Sequence, residues 1–427
     1  MNEPTSPLKI RDYRFYWVAR FLAVSATLSM VVLIGYQTYD VARSLYGMSR
    51  STAAFQLGLL GLVQFVPLML LTPLAGLAAD RFDRRFVAAF ANGIDCAIAL
   101  TLAVLTYEQA LNLPILFSLA AAHGAARVFT GPAMSAIAPN IVPPALLPRA
   151  IALASIAYQA ASVAGPAIGG LLYALHPSLP HFISAGMMLV SAAMVLSIRP
   201  VRAVHQGGPV HPLKRIIEGF VFIRHHRFLL GCITLDLFAV LLAGATALLP
   251  VYARDILHVG SEGLGLMRGA PALGAAVVAL WLSYRPLTYN VGNKMLIAVA
   301  IFGAATIAFG LSRSFLLSLT LLALLGAADM VSVFVRNTLA QLYTPDDKRG
   351  RVSATSGLAI SASNELGEMQ SGVAAALLGA TGAVVFGGAG AIVITALWAW
   401  LFPELRWAKT FDPQYQDSDP EEREAAR

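Results

Sequence analysis

The sequence predicts an all-α membrane protein with twelve transmembrane helices arranged as two six-helix repeats. Three observations predict it. Of 427 residues, 57% are apolar and only 12% are charged, with a mean hydropathy of +0.69, whereas a soluble domain carries about 25% charged residues. Residues 21–39, 51–79 and 150–198 run without a charge. The basic residues fall overwhelmingly on one side of the runs they separate. So little charge cannot coat a soluble protein of this length, so a soluble enzyme, a nucleic-acid binder and a disordered scaffold are excluded.

A bilayer core about 30 Å thick needs roughly 20 apolar residues per helix. On that measure the first six spans lie near 15–40, 52–78, 86–106, 112–138, 150–173 and 181–198. The last two divide at His176-Pro177-Ser178-Leu179-Pro180, a turn signal. The second set lies near 228–253, 262–284, 294–312, 314–340, 351–377 and 380–402. Continuous runs, not ten-residue alternations, exclude a β-barrel. The N-terminus lacks a cleavable signal core, so the run from Phe21 reads as a retained helix.

With both termini inside, 23 of the 30 Lys and Arg face the cytoplasm and five face outward, while Arg127 and Arg336 lie within spans. That bias sets the expected orientation. It also accounts for the net charge of +7 without invoking nucleic acid. Residues 1–198 are expected to form an N-terminal six-helix half and 228–403 a C-terminal one. The linker, 199–227, is basic and carries histidines at 205, 211, 225 and 226. Within it Leu213, Ile216, Ile217, Phe220 and Val221 fall on one helical face, the pattern of a short helix on the membrane surface. Residues 404–427 turn acidic and read as a disordered cytoplasmic tail. Cys96 and Cys232 sit in apolar runs and read as packing residues; no metal-ligand spacing is present in the sequence.

The halves resemble each other. A shift of 202 residues aligns 127–174 with 329–376 and pairs Pro143 with Pro345, Arg149 with Arg351, Gly165 with Gly367 and Gly170 with Gly372. Duplicated six-helix halves are the layout of transporters that rock about a central site.

Four elements carry chemistry. Gly76-Leu77-Ala78-Ala79-Asp80-Arg81-Phe82-Asp83-Arg84-Arg85 follows span two. Gly76 permits close helix approach, Asp80 suits the positive N-terminus of a neighbouring helix, and Arg81, Arg84 and Arg85 face the cytoplasm. Span four carries Arg127-Val128-Phe129-Thr130-Gly131, and an arginine at that depth needs a partner or a wet cavity. Its repeat mate is Asp329, which it could face across a cavity. His123, one turn earlier, reads as a packing or hydrogen-bonding residue. Span five carries Gly165-Pro166-Ala167-Ile168-Gly169-Gly170; proline removes a helix hydrogen bond and the glycines permit close packing. Span eleven carries Glu365 and Glu368, three residues apart on one face, where like charge and burial both favour proton uptake. Asp95, Asp236 and Arg336 also lie within spans as candidates for coupling or substrate contact, and Asp40 reads as an interfacial charge.

The loop after span two resembles the G-x-x-x-D-[RK]-x-G-[RK]-[RK] signature of the major facilitator superfamily, with Asp83 in place of the second glycine. The span-four element resembles that family's R-x-x-x-G, and the span-five element resembles the G-P-x-x-G-G of drug–proton antiporters. The stretch 336–372 is similar to the branch that includes the enterobactin exporter. The resemblance covers residues 9–402. It implies the major facilitator fold, a cytoplasmic latch at Gly76, Asp80, Arg81, Arg84 and Arg85, and a helix-kink motif at Gly165, Pro166, Gly169 and Gly170. It also implies a monomeric inner-membrane exporter working by alternating access and proton antiport, with membrane lipids around it and a small-molecule substrate, a siderophore among the candidates. No phosphate-binding GxxxxGK[ST] loop or catalytic triad is present in the sequence, so neither ATP, another cofactor nor enzymatic chemistry is expected. A multidrug efflux pump remains an alternative, as do a lipid flippase and a non-transporting sensor or binding protein on this scaffold.

Overall fold

The computed structural model describes residues 6–200, 212–285 and 287–411, without the side chains of 79, 80, 212–215, 346 and 347. The acidic residues from Asp412 onward and the linker histidines His205 and His211 lie outside the described residues. Among the described residues there is no strand. The helices are α1 (Arg11–Ser44), α2 (Arg50–Arg81), α3 (Arg84–Tyr107), α4 (Leu113–Ile141), α5 (Leu147–Leu175), α6 (Leu179–Leu196), α7 (Pro212–His225) and α8 (Arg227–Leu242). They continue with α9 (Leu249–Val251), α10 (Gly260–Tyr284), α11 (Val291–Leu311), α12 (Phe315–Leu342), α13 (Asp346–Leu401) and α14 (Pro403–Trp407).

Local chemistry explains the boundaries. Ser49 and Asn112 cap α2 and α4 by accepting the backbone N–H of Thr52 and Ile115. The turn predicted at 176–180 separates α5 from α6. The long α13 breaks at Gly379, where φ is +73°, a value glycine alone adopts readily. The eleven candidate spans therefore count as twelve, because α13 holds two.

Span seven departs from the single helix expected over 228–253. It stops at Leu242, passes through a 3₁₀ turn at Ala245–Leu248 and α9, and ends in a π turn at Tyr252–Ile256. Gly244 and Pro250 explain the interruption: one favours leaving the helix, and the other cannot donate to it. The described part of the expected tail, residues 404–411, packs on the second unit. Leu405 and Ala408 are fully buried, and Gly292 donates its N–H to the Ala408 carbonyl at 3.0 Å.

The chain divides into two compact units, Met1–Pro212 with Leu249–Gly269, and Leu213–Leu248 with Ala270–Arg427. In the first, α1 packs on α5 and α6, α2 on α4, and α3 on α4 and α6. In the second, α8 packs on α13, and α11 on α12 and α13. The repeat is visible in the contacts themselves. A Cβ on Gly165 would lie 2.9 Å from Ser25 Cα on α1, and one on Gly367 would lie 3.0 Å from the Val240 carbonyl on α8. The repeat-related glycines therefore seat equivalent helices in each unit.

The linker helix α7 lies on the second unit. Arg351 pairs with Glu218 at 3.0 Å, and Thr355 donates its hydroxyl to the Ile216 carbonyl at 3.0 Å. Gly219 lets the backbones meet there. Ile217, Phe220 and Val221 remain exposed on the other face, the amphipathic arrangement its sequence predicts.

Candidate transport site

The structure gathers the candidate residues into separate groups. In the second unit, Asp236 on α8 forms an ion pair with Arg336 on α12, their side chains 7% and 5% exposed. Charges buried to this degree survive only when paired. Each candidate therefore accounts for the other, and Arg336 is not an open anion receptor.

Glu365 and Glu368 sit on α13, the first buried and the second half-buried, and both are engaged with neighbours. Between them, Gly367 meets the interruption in span seven: a Cβ on Gly244 would lie 2.7 Å from the Gly367 carbonyl. In sequence Glu365 and Glu368 bracket the residue that packs on this break, while the helix face they share is a different one. Interrupted helices expose backbone carbonyls at membrane depth and recur at the binding sites of secondary transporters. The sequence signals the carboxylates but not this juxtaposition. Asp329, half-buried on α12, belongs to the same unit.

In the first unit, Arg127 on α4 reaches Gln64 of α2 at 3.5 Å. Gly124 keeps those helices close, since a Cβ there would lie 3.3 Å from the Gln64 carbonyl. One turn before Arg127, His123 Nδ1 lies 2.8 Å from Asp95 Oδ1 on α3. Neither side chain is more than 1% exposed. The expected hydrogen-bonding role of His123 thus finds its partner in another candidate.

Pro166 lies inside α5; Gly165 and Gly169 face Ser25 and Ser29 of α1, and Gly170 faces Ser261 and Gly265 of α10. A Cβ on Gly76 would meet nothing within 4 Å among the described residues. The Asp80 side chain lies outside the described residues, and Arg81 is exposed.

Asp83, the departure from the signature, has its own function. Its backbone is extended, with φ −60° and ψ 118°, and its carboxylate caps α3 by accepting the Arg85 N–H at 3.0 Å. It also pairs with the Arg85 guanidinium at 2.7 Å, and that guanidinium donates to the Ile198 carbonyl. Arg84 donates to the Ala136 carbonyl at 3.0 Å. Partial burial raises the Asp83 carboxyl, but the hydrogen bonds from Arg85 and the charges of Arg85 and Arg84 outweigh it and hold the group below its ordinary value.

A second outer cluster escaped the sequence reading. Tyr39 donates its hydroxyl to Asp255 at 2.6 Å, and Arg43 and Arg50 lie 3.4 Å from the same carboxylate. Asp40, read as a lone interfacial charge, pairs with Arg254 at 2.7 Å. The π turn at Tyr252–Ile256 presents Arg254 and Asp255 together.

Duplicated helical units, an interrupted span and intramembrane carboxylates define a multi-pass membrane transporter. The comparisons with known proteins give its family. Residues 2–423 match the family described as transmembrane secretion effectors, and the chain belongs to that family of major facilitator superfamily transporters. The enterobactin exporter of Escherichia coli O1:K1 is 28% identical over 420 residues, covering 95% of each chain. That of Citrobacter koseri is 29% identical over 378 residues, covering 87% of this chain and 85% of its own. Among solved structures, an inward-facing bacterial homologue of the lysosomal transporter Spinster superposes with a TM-score of 0.67 at 15% identity, covering 94% of this chain and 99% of its own. An inward-facing bacterial homologue of ferroportin gives 0.67 at 17% identity, covering 93% and 98%.

Proposed function

We propose that this transporter exports a small organic molecule across the bacterial inner membrane by alternating access, in exchange for protons, with both termini in the cytoplasm. The observation that carries the reading is whole-length similarity to enterobactin exporters. A catecholate siderophore is the proposed substrate class. Arg127, which reaches Gln64 of α2, is the cation proposed to meet such an anion. Glu368 is the proposed proton site and Glu365 its tuning partner. A fixed charge at membrane depth costs several kcal/mol, which makes Glu368 the carboxylate proposed to exchange substrate for a proton. Competition of substrate and proton for that carboxylate couples their fluxes.

The same carboxylates, Glu365 and Glu368, favour a second reading, export of apolar cations. Efflux from cells lacking their own siderophore and drug exporters separates the two. Enterobactin leaving faster on expression of the chain, with ethidium unaffected, supports the first reading. Ethidium efflux alone supports the second. Neither, from a chain shown to be folded in the membrane, removes both and leaves the sensor or binding-protein reading.

A further inference from the structure

We propose that His123 and Asp95 form a proton-binding dyad, in which Asp95 sets the imidazole tautomer and His123 Nε2 takes up and releases the proton. Its place in the transport cycle, as a protonation site besides Glu368, rests on the proposed proton-coupled export; the dyad itself does not.

The geometry is that of a buried base. His123 is fully buried and Asp95 is 1% exposed, with Nδ1 and Oδ1 2.8 Å apart. An ionised carboxylate only accepts, so the ring proton lies on Nδ1 and donates to Asp95. Nε2 then carries the lone pair. That nitrogen is buried and has no hydrogen-bond partner among the described residues. A native structure rarely leaves such an atom unmet without a role for it. Proton uptake at Nε2 would make the dyad an imidazolium–carboxylate pair of zero net charge. His181 is the contrast: equally buried, it bonds only the neutral amide of Gln37, at 3.1 Å, and no carboxylate stands by to balance an imidazolium.

The surroundings hold few other charges. On α3, Cys96 neighbours Asp95, and Arg85 is at the inner end, paired with Asp83. On α2 no charge occurs from Ser51 to Ala79. On α6 the only titratable group is His181; between Arg20 and Asp40, α1 offers only Tyr36 and Tyr39. On α5 beyond Arg149 there are only Tyr158 and Tyr173. Arg127, four residues after His123 on α4, is therefore the one further full charge at this depth. At that spacing two cations repel.

The test is ¹⁵N NMR of the full-length, histidine-labelled protein in lipid nanodiscs, with His123→Gln identifying the signal among the eight histidines. The dyad predicts the Nδ1–H tautomer at high pH, giving way to the doubly protonated ring as pH falls from 8 to 5. Asp95→Asn should lower the midpoint by one pH unit or more, at least tenfold in proton affinity, and Asp95→Glu should restore it. An Nε2–H tautomer, or a ring that does not titrate between pH 9 and 5, overturns the proposal from the wild-type protein alone, whether or not the variants fold. Enterobactin efflux is scored separately. Titration without transport removes the export reading and leaves the dyad; transport with a non-titrating His123 removes the dyad only.

Discussion

Replacing Asp236 by Asn should be among the most damaging single changes in the second unit. It leaves the Arg336 guanidinium, with its side chain 5% exposed, without a counter-charge. Two unit charges about 4 Å apart attract by about 4 kcal/mol at an effective dielectric near 20. Breaking a buried pair by removing one partner costs about 3–5 kcal/mol. Because a chain denatured in detergent also finds polar partners, the lower end of that range applies. Removing both charges is different: Asp236→Leu with Arg336→Met replaces the pair by apolar volume, which is often neutral or better. The double variant should therefore exceed either single variant by about 2 kcal/mol or more. Arg227→Ala is the internal control, because its pair with Glu404 at 2.9 Å is 65% and 31% exposed, and such pairs contribute about 0–1 kcal/mol. Unfolding of purified protein with sodium dodecyl sulfate, followed by tryptophan fluorescence, reads every one of these variants. A double variant no more stable than Asp236→Asn refutes the reasoning, since the loss would then owe nothing to a stranded charge.

Gly165→Val should force α5 from α1, since even a Cβ meets Ser25 backbone closer than normal contact; a loss of about 1–3 kcal/mol is expected by the same assay, and an unchanged midpoint would show that the helices separate freely. Asp83→Ala should cost about 1 kcal/mol at pH 7 by removing the cap of α3. Because the folded carboxyl lies below its ordinary value, that contribution is complete above the ordinary carboxylate range and lost as pH falls through the folded value, so wild type and variant should converge in strong acid; a constant gap down to pH 2 would contradict the charge-based account. Phe82→Cys, 63% exposed between α2 and α3, should react with a membrane-impermeant maleimide only from the cytoplasmic side, and Tyr46→Cys, 46% exposed between α1 and α2, only from outside; the reverse would invert the orientation.

The twelve spans were legible because lipid forbids charge: each run ends where Lys, Arg, Asp or a proline turn returns. The break in α13 was legible at Gly379 for the related reason that glycine interrupts the apolar pattern. The break at Ala243-Gly244, by contrast, lies inside an apolar run, and Gly244 and Pro250 stand out there no more than the glycines and prolines of unbroken spans. Its contact with Gly367 joins distant segments and leaves no local signal. The site divides in the same way. Glu365 and Glu368 announce themselves by spacing on one helix. Asp95 and His123, Asp236 and Arg336, and Asp40 and Arg254 are each split between segments, so sequence could offer the residues singly but not the pairs. Asp83 was visible as a departure from the family signature; its capping of α3 was not, because it depends on where that helix begins.

Export in exchange for protons is the central claim, and simultaneous recording of both fluxes in one preparation of proteoliposomes tests it most directly. With the chain reconstituted and a pH gradient imposed, enterobactin should move against the proton flow, and a trapped pH dye should report protons crossing in the opposite direction in fixed ratio. Glu368→Gln should abolish gradient-driven transport while sparing exchange of labelled for unlabelled enterobactin. Substrate movement with no accompanying proton movement, or full gradient-driven transport by Glu368→Gln, would contradict the account.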